Sequence, residues 1–175
     1  MNSLRNWAQA LTAGAVLVAG MSAAPVLSAQ ADLDMLKSYV GNWSGLGSSK
    51  TTGQASESVK CNLSVTPGGV PEKINFNGKC ALSGGVLSIK GTMAYVGGNS
   101  YEAVMSSNTA FTGVAKGRRS GNSLSFNLRD KNADTGDQYS LSAGLGLTGG
   151  KINASFTVTN LSTGQKTSAS VPFTK

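Results

Sequence analysis

The chain has 175 residues, with 15 Lys and Arg against 8 Asp and Glu, a formal charge of +7, and no histidine. Without histidine the commonest general base and metal ligand are both missing, which excludes Ser-His-Asp and Cys-His catalysis. The length suits one domain with one real core, and the charge speaks to solubility and anionic partners rather than to fold.

Arg5 precedes the short apolar run "WAQALTAGAVLVAG", followed by Pro25 and the small-residue triplet Ala29-Gln30-Ala31. That is the order of a secretory signal peptide, and the run falls short of the roughly 20 residues that span a bilayer. The expectation is a signal peptide over 1–31 and a single β-barrel domain over 32–175. No cysteine precedes Cys61, so a lipoprotein anchor has no attachment point. A bacterial periplasmic or secreted location follows, without an integral membrane anchor.

Residues 32–40, "DLDMLKSYV", place Leu33, Leu36 and Val40 on one helical stripe, and Asp32 and Asp34 suit a helix N-terminus. One or two helical turns capping a barrel end are expected. From Val40 onward the dominant period is two, the mark of half-buried strands. Val59, Cys61, Leu63 and Val65 share one face, as do Ile74, Phe76, Cys80 and Leu82. The turn signal "TPGGVP" lies midway between Cys61 and Cys80, so the two cysteines should face each other across a hairpin. An even cysteine count in an exported chain points to a disulfide.

The alternation continues through Leu87, Ile89, Met93 and Tyr95, then Tyr101, Ala103 and Met105, and later Leu124, Phe126 and Leu128. It ends with arms centred on Tyr139–Leu147, Ile152–Val158 and Ala169–Phe173. Short, even turn signals ("LSGG", "VGGN", "RRSGN", "LTGG", "LSTGQ") separate the runs. The expected fold is all-β: an antiparallel up-and-down meander of eight to ten strands. Glycines inside the strand patterns, among them Gly78, Gly91 and Gly113, supply the kinks that favour a closed barrel over a flat sandwich.

A short helix, then Gly41-Asn42-Trp43, then a β-meander resembles the lipocalins and the wider calycin barrels. The resemblance implies a small barrel whose base Trp43 closes. It covers ten to fifteen residues by motif and the remainder by strand rhythm. "TGDQY", residues 135–139, is a degenerate echo of a second family motif. The family's helix after the barrel is missing, and no late arginine exists to pack on the tryptophan, which leaves that place to Lys175 or Lys166. Size, export signal and single disulfide also look like small periplasmic barrels, including metalloprotease inhibitors.

The remaining sites are few. Trp43, Phe76, Met93, Tyr95, Tyr101, Met105, Phe126, Tyr139 and Phe156 share the apolar register, and as inward residues they would line or fill an apolar cavity, with filling as the default. Lys116, Arg118 and Arg119 form a basic cluster at a hairpin tip, able to contact anions. The acidic residues read as solvated surface. Asp130, Asn132 and Asp134 echo a calcium loop, but Thr135 stands where the turn glycine belongs, so a polar hairpin loop is preferred and no metal is expected. No cofactor is expected, and nucleic acid would want interleaved aromatics that this cluster lacks. The sequence therefore reads as an exported, non-catalytic barrel acting by binding, with an apolar or amphipathic envelope molecule as its ligand. One alternative is a protease-inhibitor-like or other protein-interaction barrel that needs residues 32–40 free. A second is a small outer-membrane β-barrel.

Overall fold

The computed structural model describes residues 24–108, 112–131 and 136–175. One helix, α1 (Ala24–Tyr39), precedes ten strands: β1 (Gly41–Thr51), β2 (Glu57–Pro67), β3 (Lys73–Leu82), β4 (Gly85–Gly97), β5 (Ser100–Ser107), β6 (Thr112–Ser120), β7 (Ser123–Lys131), β8 (Gln138–Thr148), β9 (Lys151–Asn160) and β10 (Lys166–Thr174). Each strand pairs antiparallel with the next, and β1 pairs with β10, so the meander closes into a barrel. The expected all-β, calycin-like closed barrel is what forms.

The alternation read from the sequence sets inside against outside. Val59, Cys61 and Val65 of β2, Leu124, Phe126 and Leu128 of β7, and Val171 and Phe173 of β10 are buried. Their neighbours in sequence are mostly polar and exposed. Cys61 faces Cys80 across the β2–β3 hairpin and is bonded to it, with their Cα atoms 4.1 Å apart. Within the chain-entropy picture, closing this loop contributes about 3 kcal/mol.

Two expectations need correction. The helix begins at Ala24, not Asp32, and runs 16 residues. Its buried stripe is Asp32, Met35, Leu36 and Tyr39, with spacing i, i+3, i+4, i+7, rather than Leu33, Leu36 and Val40. Asp32 is thus mid-helix, one step round from the position its charge suggests. "RRSGN" is not wholly a turn either: β6 runs to Ser120, and only Gly121 and Asn122 join it to β7. The inward positions of β6 are Gly113, Ala115, Gly117 and Arg119. None is a large apolar residue, so the strand leaves no hydrophobic signature.

The "GNWSGLG" stretch is explained at the helix end of the barrel. Gly41 has φ +142°, and a Cβ there would lie 2.8 Å from Lys175 Cε. The positive φ is what calls for glycine, since the end of the Lys175 side chain could move aside, and it permits the sharp passage from α1 into β1. Trp43 is 3% exposed, and its Nε1–H donates to the Tyr39 carbonyl at 2.8 Å. The indole therefore satisfies one of the carbonyls a helix C-terminus leaves open. Lys175 Nζ lies 4.6 Å from the ring centroid, a cation–π contact made by one of the two lysines to which the sequence left that place. At Gly45 and Gly47, a Cβ would collide with the backbone oxygens of Pro172 and Ser170, so these glycines let β1 seat against β10.

Truncating Trp43 removes a buried ring and its hydrogen bond together. Trp43→Ala is expected to cost about 3–5 kcal/mol, and Trp43→Phe less, measured by chemical denaturation. Trp43 is the sole tryptophan of residues 32–175, so fluorescence of that form should be blue-shifted and resistant to quenchers.

Candidate functional site

Inside the barrel lies a cavity of about 180 Å³, lined by residues from α1 and from most of the strands. Phe76, Met93, Met105, Phe126 and Phe156 stand in its wall, as do Tyr39, Ile89 and Leu145. Of the aromatic and methionine residues singled out by register, these five meet around one space. Trp43, Tyr95, Tyr101 and Tyr139 do not. Trp43 is buried against the end of α1, the Tyr95 and Tyr101 rings meet at the same end, tilted at 56° with centroids 5.5 Å apart, and Tyr139 sits near the opposite end beside Asn160.

Filling was the default expectation, and the interior is instead partly hollow. The reason is the number of small residues on the inner wall. Ala103, Ala115, Ala143 and Ala154 face inward, and so do Gly91 and Gly117. Phe76 faces Gly91 across the β3–β4 pair, and Phe126 faces Gly117 across β6–β7. A Cβ at Gly91 would fall 2.7 Å from Phe76 Cζ, and one at Gly117 would meet the Phe126 ring. Both rings therefore lie flat against the neighbouring strand and leave the lumen open. Ten strands also enclose more space than the eight whose side chains just fill a barrel.

The cavity is chemically plain. Among the described residues around it, only Tyr39 and Asn62 have a polar side chain. The Tyr39 hydroxyl donates to the Leu145 carbonyl at 3.1 Å, and burial pushes its phenol up from 10.0 to about 12. Cys61 and Cys80 are locked in the disulfide. Among the described residues no group of three or more His, Cys, Asp or Glu is placed to hold a metal. Asn132 and Asp134 of the calcium-like loop lie outside the described residues.

A polar cluster that the sequence did not announce fastens the helix over this end. Asp32 is 3% exposed, and its Oδ1 accepts from the Tyr101 hydroxyl at 2.6 Å and from Arg119 Nη1 at 2.8 Å. Arg119 Nε also donates to the Gly121 carbonyl at 2.8 Å. Burial, then the hydrogen bond and charge of Asp32, hold the Tyr101 phenol well above its ordinary range. Asp32 is therefore not solvated surface, and Arg119 does not stand with Lys116 and Arg118. Those two point outward from β6, whereas Arg119 points in and is paired. The signal was present in the register: Ala115, Gly117, Arg119 is one inward row, and a charge in such a row needs a buried partner.

No protein-family model matches the sequence, and no curated protein matches it. Solved structures share the fold. Rv2717c from M. tuberculosis superposes with a TM-score of 0.67 at 15% identity, over 82% of this chain and 96% of that one. The S-type phycobiliprotein lyase CpeS from Guillardia theta gives a TM-score of 0.59 at 11% identity, over 81% and 90% of the two chains. These likenesses establish a shared barrel architecture.

Two measurements probe the site. Arg119→Gln leaves the buried Asp32 carboxylate without its counter-charge and is expected to cost about 3 kcal/mol or more, whereas Lys116→Gln, on an exposed side chain, should cost little. Tyr39 holds its proton more tightly folded than unfolded, so its contribution to stability is complete below pH 10 and disappears as pH rises towards about 12. Denaturation midpoints across that range should fall, and less so for Tyr39→Phe.

Proposed function

We propose that this protein is an exported binding barrel whose ligand is a small apolar molecule, or one short hydrocarbon chain, held in the interior cavity. The observation that carries this reading is an almost wholly apolar space of about 180 Å³ inside the barrel, partly open to the outside. Dry apolar cavities of about 150 Å³ lined by Leu, Ile and Phe bind benzene-sized molecules, whereas drug-sized ligands need about 300 Å³ or more. An amphipathic molecule would be held by its apolar part. The scarcity of polar groups on the wall favours binding without catalysis and without a cofactor. The disulfide suits an oxidising compartment, in line with export by the proposed signal peptide. Among the described residues no helix is long and apolar enough to cross a membrane.

The docked helix bears on the inhibitor alternative. Leu36 is 0% exposed and Asp32 is paired beneath the surface, so residues 32–40 serve as a lid more readily than as a free inhibitory arm. The outer-membrane alternative requires an apolar outer band. Here β3 presents Lys73, Asn75, Asn77 and Lys79 outward, and β7 presents Ser125, Asn127 and Arg129. A polar outside around an apolar inside favours an aqueous surrounding.

Alkylbenzenes and short alkanes should raise the thermal midpoint, by an amount equivalent to about 2.7 kcal/mol at a hundredfold excess over Kd. Sugars and glycerol should not. Ala143→Leu with Ala154→Leu should fill the cavity and abolish the shift. No shift for any apolar probe, or an undiminished shift in the filled variant, would sink the proposal. Native mass spectrometry of protein purified from its own host should show the natural occupant.

A further inference from the structure

The outer wall carries a second pattern, independent of the cavity. Lys50, Lys60, Lys73, Lys79 and Lys90 point outward from β1–β4 and are exposed. Lys116, Arg118, Arg129, Lys131, Lys151 and Lys166 do the same from β6–β10. Against these eleven cations the outward strand positions hold one acid, Glu102, directly opposite Lys116. The other described acids are elsewhere. Asp32 is buried, Asp34 lies on the helix, and Glu72 and Asp137 lie in loops. Glu57 and Asp130 sit near strand ends, where they accept from the Ser83 and Thr112 backbone N–H groups. The formal charge of +7 thus understates the wall. Acids occupy the ends and the interior, and the cylinder between them is cationic.

The densest stretch is a diagonal row. Lys60 faces Ala81, two residues from Lys79, and Lys79 faces Ser88, two residues from Lys90. Diagonal neighbours of this kind lie about 7–8 Å apart. Asn62, Ser64 and Asn77 lie beside them on the same face, offering uncharged donors and acceptors.

We propose that this wall binds an acidic polysaccharide, with the Lys60–Lys79–Lys90 row as its central contact. Cations on strands all round the barrel suit a flexible polyanion that can follow a curved surface, whereas a flat anionic membrane would meet one side only. Nucleic acid fits less well. Every described aromatic residue of the strands faces inward, leaving no platform for bases. Nine of the eleven cations are lysines, point charges rather than the forked guanidinium that matches phosphate. Binding would draw its strength from release of condensed counterions and would weaken steeply with salt.

The test measures binding of labelled polygalacturonate to the folded protein at about 50 and about 200 mM salt. Binding at the lower salt that falls steeply at the higher is the expected result. Lys60→Gln, Lys79→Gln and Lys90→Gln combined should weaken binding about tenfold or more and flatten the salt dependence. Gln54→Glu, Asn122→Asp and Gln165→Glu combined make the same change in charge on exposed loop residues, and should weaken it far less. Equal losses in the two triple variants would reduce the effect to net charge and overturn the proposal. Tighter binding to phosphatidylglycerol vesicles or to duplex DNA than to the polysaccharide would also overturn it, as would no binding at the lower salt.

Discussion

Across the seam where β1 meets β10, Ser44 faces Thr174 and Thr51 faces Thr167, and the Thr51 and Thr167 hydroxyls share a hydrogen bond of 2.9 Å. This pairing turns a ten-strand meander into a cylinder. An open sheet would leave the edges of β1 and β10 unpaired, as templates for other chains. It would also give its two faces no fixed meaning. Once closed, every second residue is committed to the lumen and every other one to solvent. The seam needs glycine at positions 45 and 47 because the backbone of β10 passes where a Cβ would stand. The glycines around Trp43 thus serve the closure, and the tryptophan serves the end of what is closed.

Closure also sorts the chemistry. The lumen receives the aromatic, aliphatic and methionine side chains, together with enough glycine and alanine to keep part of it empty. The wall receives serine, threonine, asparagine and most of the lysines. Sparse charge in the sequence as a whole therefore becomes concentrated charge on one surface. Binding an apolar guest inside and a polyanion outside would be compatible, since none of the eleven cations of the wall lines the cavity. The pattern with period two that builds the fold creates both at once.

Much of this was legible from residues alone. Strands with a large apolar residue at every second position announced themselves, and the cysteine hairpin followed from a turn signal set midway between Cys61 and Cys80. Gly41 and Trp43 marked the entry to β1. The losses share one physical cause, which is that polarity disguises burial. Asp32 belongs to the helix's buried stripe, but its charge made Leu33 look like the inward residue. Arg119 occupies an inward position of a strand whose other inward residues are glycine and alanine. Each is burial-tolerant only because the other exists, and no local window of sequence contains both. The hollowness of the barrel was hidden for a different reason: it depends on Phe76 and Phe126 finding glycines on adjacent strands, which is a matter of register.

The helix is where these themes join. Besides the Tyr39 hydroxyl on the Leu145 carbonyl, it is fastened to the barrel at two points of different character. At its C-terminal end the Trp43 indole holds the Tyr39 carbonyl, a short-range contact between residues four apart. Two turns earlier Asp32 reaches Tyr101 and Arg119, contacts that span 69 and 87 residues of sequence. The first depends on local chain geometry. The second exists only while the lid is shut, because opening would expose a carboxylate, a guanidinium and a phenol that now satisfy one another. Tyr39 carries the first of these contacts and also forms part of the cavity wall. A guest in the cavity would therefore touch the helix at its C-terminal attachment, two turns from the Asp32 cluster.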